Sequence, residues 1–244
     1  MLKEMIRSAW RSAIRSCLLI YRRGAPKGLR PEDGKFLMTL ALGDQTIYDV
    51  GAYKGYYTLF FSRAVGGGGK VIAFEPHPGN HKKLLKRIKL NLLDNVEARP
   101  VAVGNETGQR TLAFRDTDSG TSSLQEEMKA QILHEKDAGS VQVEIDSLDR
   151  QIAAHHFPKP DLIKIDVEGF EMDVLLGMGE TIRNHKPKLY IEIHGVDAES
   201  KIANMRKVVE FLSGWAYTIR HVESGAMINP TNSQIAKEGH LYCT

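Results

Sequence analysis

Two acids at the ends of apolar runs, each leading into a turn, are the residues here best suited to chemistry. Thr46 to Val50 is a β-branched and aromatic run that carries Asp49, and Gly51 and Gly55 follow it directly. A second apolar run, Val71 to Phe74, ends at Glu75. A glycine turn between strand and helix lets backbone approach a ligand that any Cβ would push away. A carboxylate at the tip of the next parallel strand accepts hydrogen bonds from both hydroxyls of a ribose. The pattern is that of a nucleoside site. Its spacing selects among nucleosides, because pyrophosphate dinucleotides are met by G-x-G-x-x-G, whereas Tyr53 stands two after Gly51. S-adenosylmethionine has no phosphate, and its sulfonium and amino-acid tail suit an acid such as Asp49 by charge attraction. A nicotinamide-dependent oxidoreductase is the alternative, and Tyr53 with the missing third glycine speaks against it.

The elements that must hold these residues alternate between strand and helix periods, the signature of an α/β domain with a parallel sheet. Strands are expected at 46–50, 70–75, 96–103, 161–166 and 189–193, with helices at 56–65, 78–92, 148–156, 170–183 and 198–213. Residues 104–147 break this rhythm, with TLAFRD and VQVEID reading as extra strands around a polar segment. Two last strands, near 216–222 and 240–244, suit a sheet whose final strand inserts antiparallel. The expected division is a helix and Gly/Pro-rich linker at 1–34, then one domain at 35–244.

Composition, 42% hydrophobic and 26% charged, is that of an ordinary globular chain. No apolar run is long enough to span a bilayer as a helix. Cys17 and Cys243 lie too far apart to suggest a disulfide framework and fit a reducing, cytoplasmic compartment. Charge is unevenly spread: residues 1–30 hold eight basic residues against Glu4 alone, while the whole chain nets only +3. Lys3, Arg7, Arg11 and Arg15 recur every fourth position opposite Met5, Ala9, Trp10, Ile14, Leu18 and Tyr21. That is a basic amphipathic helix, able to lie on the inner membrane surface as a peripheral contact or to pack on the domain. The net-acidic remainder disfavours nucleic acid as the substrate.

DVGAYKGYYT, FEPHPGN, LIKIDVEGFEMDVLLGM and KLYIEIHG, in this order, resemble the FkbM family of S-adenosylmethionine-dependent methyltransferases over about residues 46–214. KIDVEGFE at 164–171 is the most specific piece, and Tyr53 stands where the family turn often has asparagine. The resemblance implies a Rossmann-like class I methyltransferase fold: a mostly parallel seven-stranded sheet flanked by helices, with the amphipathic helix outside it. It also implies O-methyl transfer, often to sugar or polyketide hydroxyls, so that the partner is a small-molecule or glycan acceptor. A non-catalytic S-adenosylmethionine-binding module is the remaining alternative.

Ligands in open α/β sheets lie outside the carboxyl ends of the strands. Asp49, Gly51 and Gly55 are therefore expected at the methionine end, Glu75 on the ribose, Ala102 at the adenine, and Asp166 near the amino group and methyl. Ala52, Tyr57, Pro76, Val167 and Glu168 complete the cofactor-contacting set. Transfer to an alcohol needs a group to take the hydroxyl proton. Asp166, Glu192 and His194 are the foremost candidates, His194 because an imidazole titrates near neutral pH. Glu168 and Glu171 are also at hand, Glu171 better suited to capping a helix start. Asp166, Glu168, Glu192 and His194 could ligate Mg²⁺ or Mn²⁺, a divalent metal that is possible but not favoured, and no metal ligand is assigned. TDSGTSSL at 117–124 is the expected acceptor lid.

Overall fold

The computed structural model describes residues 29–115, 121–236 and 238–244. The expected amphipathic helix, Cys17 and the first half of the expected lid lie outside the described residues. After α1 (Pro31–Leu37) come β1 (Thr46–Val50), α2 (Tyr56–Val65), β2 (Lys70–Phe74), α3 (Pro78–Leu90) and β3 (Val96–Arg99). Then follow β4 (Val101–Val103), β5 (Gly108–Arg115), β6 (Ser122–Ser123), α4 (Glu126–Leu133) and β7 (Ala138–Asp146). The chain continues with α5 (Leu148–His155), β8 (Leu162–Ile165), α6 (Glu171–Leu176), α7 (Gly179–His185), β9 (Lys188–Glu192) and α8 (Ala198–Gly214). β10 (Ile219–His221), β11 (Met227–Ile228) and β12 (His240–Cys243) close it.

The main sheet has the order β11-β10-β12-β9-β8-β1-β2-β3. Its centre is parallel, β9-β8-β1-β2-β3, and β12 enters antiparallel beside β9. This is the Rossmann-like class I arrangement, with eight strands where seven are expected because the two-residue β11 adds an edge. β1 and β8 are buried along nearly their whole length, which is why both read as continuous apolar runs rather than alternating ones. The order reverses between β1 and β8, since the chain builds β2 and β3 on one side of β1 and returns to the other. That switch point opens a crevice at the strand ends.

Three boundaries differ from expectation, each for a local reason. The strand expected at 96–103 splits at Pro100, which has no N–H to give a ladder. β3 stays in the main sheet, whereas β4 joins a second sheet of order β4-β7-β5-β6. The apolar face of that sheet, including Ala102, Leu112, Val143 and Ile145, packs with Phe170 and Leu124. The helix expected at 170–183 breaks into α6 and α7 at Gly177, where a Cβ would meet the Gly104 carbonyl oxygen at 1.9 Å. The expected linker at 24–34 ends instead in α1, which Pro31 starts at its first turn with Glu32 and Asp33 behind it. Among the described residues no helix is long and apolar enough to cross a membrane.

Candidate functional site

β1, β2 and β8 end side by side, and between their tips and the second sheet lies a cavity. Gly51, Tyr53, Glu75, Pro76, Asn80, Ala102, Asp166, Val167 and Glu168 are among its lining residues, with Leu112, Leu124 and Phe170 closing its apolar side. The structure thus brings Gly51, Glu75, Pro76, Ala102, Asp166, Val167 and Glu168 together, as the strand-end argument expects. Asp49, Ala52, Gly55 and Tyr57 are not among the lining residues.

Asp49 is displaced from its expected role by register. Lys164 on β8 is its direct cross-strand partner, and both side chains are buried. The Lys164 ammonium lies 3.4 Å from Asp49 Oδ1 and 3.2 Å from Asp166 Oδ2, and donates to the Gly51 carbonyl at 2.8 Å. Thr58 donates its hydroxyl to Asp49 Oδ2 at 2.6 Å. Burial alone would lower the Lys164 pKa, but Asp166 and Asp49 raise it, so the lysine stays charged. Asp49 therefore works beneath the cavity floor, as the counter-ion of a lysine that fixes the turn. Tyr57 is likewise engaged, its hydroxyl donating to Asp33 Oδ2 at 2.6 Å and its ring 4.9 Å from the Lys164 ammonium. Breaking a buried pair on one side strands the other charge. Lys164→Met is expected to lower stability by about 3–5 kcal/mol, read as a reduced urea midpoint; an unchanged midpoint would contradict the buried pairing of Lys164 with Asp49 and Asp166.

Both turn glycines also meet close protein neighbours, and Gly51 lines the cavity as well. Both have positive φ, 76° and 81°. A Cβ on Gly51 would sit 1.8 Å from the Asp166 carbonyl oxygen, and one on Gly55 would sit 2.6 Å from Leu84 of α3. Their smallness lets β1 approach β8 and α2 approach α3, while Ala52 is buried with Leu84 and Ala73.

Glu75 is nearly fully buried and is held by backbone: the Tyr53 N–H donates to Oε2 at 2.7 Å and the His77 N–H to Oε1 at 2.9 Å. Burial pushes its pKa up to about 7 against these hydrogen bonds. Asn80 also hydrogen-bonds the Glu75 side chain, and its buried Oδ1 has no partner. An orphaned buried acceptor costs free energy until a donor arrives. A nucleoside offers such donors in its ribose hydroxyls and adenine amino group, so the residues present fit one. Asn80 escapes the strand-end argument because it lies in the first turn of α3, two positions beyond Pro78.

At the far end of the cavity sits a charged cluster around His194. Its Nδ1 pairs with Glu171 Oε1 at 2.9 Å, and its Nε2 faces Asp166 Oδ1 at 3.8 Å, Glu168 Oε2 at 3.8 Å and Glu192 Oε1 at 3.9 Å. Glu171 also accepts the Gly169 N–H at 2.9 Å and an Asn204 side-chain N–H at 2.7 Å, so it ties the loop before α6 to the imidazole it orients, while α6 itself has no side-chain cap. Burial would lower the His194 pKa, yet Glu171, Glu168 and Asp166 raise it to about 10. These three carboxylates favour the imidazolium at neutral pH, which weighs against His194 as the base expected from sequence. Burial lifts Glu168 to about 7, with Asp166 and Glu171 adding to the rise and His194 opposing it. Glu192 is held down at about 2 despite burial, by His240, His194 and Arg30. Arg30 donates to Glu192 Oε2 at 3.0 Å and also holds Asp33 in α1. Neither Arg30 nor His240 carries a local sequence signal, because their partners lie far along the chain. Asp166, Glu192 and His194 can each offer one ligand atom within 4.8 Å of the others, a spacing compatible with a divalent cation.

These shifts fix a stability profile for the ligand-free protein. Glu168 and His194 both bind their protons more tightly folded than unfolded, so each stabilises most at low pH. The Glu168 contribution is lost as pH rises from 4.5 through about 7, and that of His194 from 6.5 through about 10. Tm is expected to fall between pH 6 and pH 10, and His194→Gln to flatten the upper part of that fall in a thermal-melt series.

A groove on the other side of His194 is lined by Gln125, Glu127, Met172, Asp173, Ser200, Asn204 and Lys207, among others. The Asp166–Phe170 loop contributes to both linings, Gly169 to the groove and its neighbours to the cavity. Of the expected lid, Ser122 and Leu124 line the cavity, while Ser123 donates its hydroxyl to the Glu168 carbonyl at 2.6 Å.

Comparison with known proteins agrees with this geometry. Residues 49–219 match the family described as Methyltransferase FkbM domain. "Methyltransferase 1" of Beauveria bassiana is 26% identical over 68% of this chain and 71% of its own length. The hexuronic acid methyltransferase AglP of Haloferax volcanii is 27% identical over 67% of this chain and 62% of its own. The crystal structure of methyltransferase FkbM from Methylobacillus flagellatus superposes with a TM-score of 0.58 at 17% identity, covering 99% of this chain. The chain spans 60% of the length of that solved protein.

Proposed function

The chain belongs to the FkbM methyltransferase family, and from that premise we propose that it transfers a methyl group from S-adenosylmethionine to a hydroxyl of a sugar or similarly polyhydroxylated small molecule. One observation carries the reading: a nucleoside-fitting cavity, with Glu75 and the orphaned Asn80 at one end, opens at its other end onto a carboxylate of pKa about 7. S-adenosylmethionine, when bound, supplies a methyl carbon already activated by sulfonium. What remains for the protein is to align the acceptor and take its proton.

Each residue then has a part. Glu75 accepts from the ribose, and Asn80 Oδ1 accepts from a nucleoside donor. Asp166, steadied by Lys164, meets the cofactor's ammonium group. Glu168 takes the acceptor's proton, because its pKa lies close to neutral pH and His194 does not release its own proton there. His194 and Glu192 position Glu168 and carry the surrounding charge. The groove beyond His194, rich in amide, carboxylate and hydroxyl groups, receives the polyhydroxylated acceptor. A hexuronic acid methyltransferase among the relatives supports this acceptor class.

The oxidoreductase alternative has no support in the family or the site, and a pure binding module would have no use for the acid cluster. The test is methyl release from labelled S-adenosylmethionine, screened against free sugars, uronic acids and small alcohols. Activity is expected to survive dialysis against EDTA. Loss with EDTA and recovery with Mg²⁺ or Mn²⁺ would reassign Asp166, Glu192 and His194 from proton handling to metal binding.

A further inference from the structure

α3 carries His81, Lys82, Lys83, Lys86, Arg87 and Lys89 and not one acid. Its two faces are unlike. Leu84 is fully buried with Ala52 and Ala73, and Arg87 lies over the Tyr56 ring at 3.9 Å, so this side braces the glycine turn of the site. The opposite side is exposed at Lys82, Leu85, Lys86, Lys89 and Leu90, positions whose three- and four-residue spacing puts them on one stripe. Leu85 is 47% exposed and Leu90 71%, and Leu92, just past the helix end, is 82% exposed. A solvated basic face has no use for three leucines in water. Leu92 moreover holds a φ of 52°, where glycine or asparagine usually ends a helix, so a cheaper and more soluble residue would serve the turn better.

We propose that this outward face of α3 docks on an anionic lipid bilayer. Charge complementarity selects the occupant: Lys82, Lys86 and Lys89 match a negatively charged headgroup layer, and the interleaved leucines match the acyl boundary just below it. Lysine stems reach up to headgroups while leucines at the same level go deeper. A nucleic acid would use the lysines but leave the leucines in water, since base contact favours aromatic side chains that this stripe lacks. Docking acts beside the site, because α3 begins two residues after Pro76 of the cavity lining and packs under Gly55. The enzyme would thereby work at a membrane surface, on an acceptor presented there.

The test uses the full chain in vesicle sedimentation, with phosphatidylcholine alone or mixed with phosphatidylglycerol. Three variants are compared: Lys82→Glu/Lys86→Glu/Lys89→Glu, Leu85→Ser/Leu90→Ser/Leu92→Ser, and Arg7→Glu/Arg11→Glu/Arg15→Glu in the amino-terminal segment. Wild type is expected to bind only the anionic vesicles, more weakly as salt rises. The lysine variant should lose at least about tenfold in partitioning and the leucine variant several-fold, each with unchanged S-adenosylhomocysteine affinity as the check on folding. No binding by wild type, or loss confined to the amino-terminal variant, would overturn the proposal. So would tight binding to single-stranded RNA that the leucine variant leaves intact while vesicle binding is absent.

Discussion

Glu168→Gln is expected to cut kcat by about 10²–10⁴-fold while S-adenosylhomocysteine binds about as it does to wild type. The amide keeps the size and most of the polarity of the side chain but cannot accept a proton. In wild type the rate should rise with pH through about 7, as Glu168 loses its proton. The amide variant should lack that limb. His194→Gln supplies the matching control, because the imidazolium is the charge that holds the Glu168 pKa down. With it removed, the acid limb should move to higher pH. If Glu168→Gln turned over near the wild-type rate with the same pH profile, the proton would be leaving by another route.

Glu75→Ala is expected to weaken S-adenosylhomocysteine binding by about 100-fold or more in calorimetric titration. Two effects add. The ribose loses a charged acceptor, and the Tyr53 and His77 N–H groups that Glu75 now receives are left without it. The ionised carboxylate is the better acceptor for hydroxyl donors. Because burial holds the free protein's Glu75 pKa at about 7, affinity in wild type should rise as pH climbs through that value. Near-wild-type affinity in Glu75→Ala would remove Glu75 from the nucleoside site.

Much of this site was legible because β-strand period and topology are strong constraints. Glu75, Asp166 and Glu168 follow buried apolar runs, and a switch point in a parallel sheet brings such ends together whatever the loops do. What failed was the reading of contacts. Asp49 was expected at the methionine end of the cofactor, whereas register sets Lys164 beside it from a strand more than a hundred residues away. A lysine inside the apolar run LIKI was the available signal, since a buried lysine demands a carboxylate. Gly51 lines the cavity as expected of a turn glycine, whereas Gly55 lies away from it against Leu84 of α3. The charge state of His194 was beyond sequence, because it depends on three carboxylates that α6 and the Asp166–Phe170 loop bring back to it. Asn80 carries no strand-end signal, because it lies in the first turn of α3.

The second sheet explains why residues 104–147 broke the α/β rhythm. The sheet supplies Leu112, and the connection after β6 supplies Leu124, as one wall of the cavity, so the insertion belongs to the site rather than decorating it. Pro100 is the residue that hands the chain from one sheet to the other, and its place between β3 and β4 could have been read from sequence as a strand end.

A structure of the protein bound to S-adenosylhomocysteine addresses the central claim most directly. The ribose hydroxyls should be found on Glu75, with Asn80 Oδ1 accepting a nucleoside donor and the sulfur at the end of the cavity nearest Glu168. A nucleoside bound away from Glu75, or a sulfur directed away from the Glu168 and His194 cluster, would contradict it.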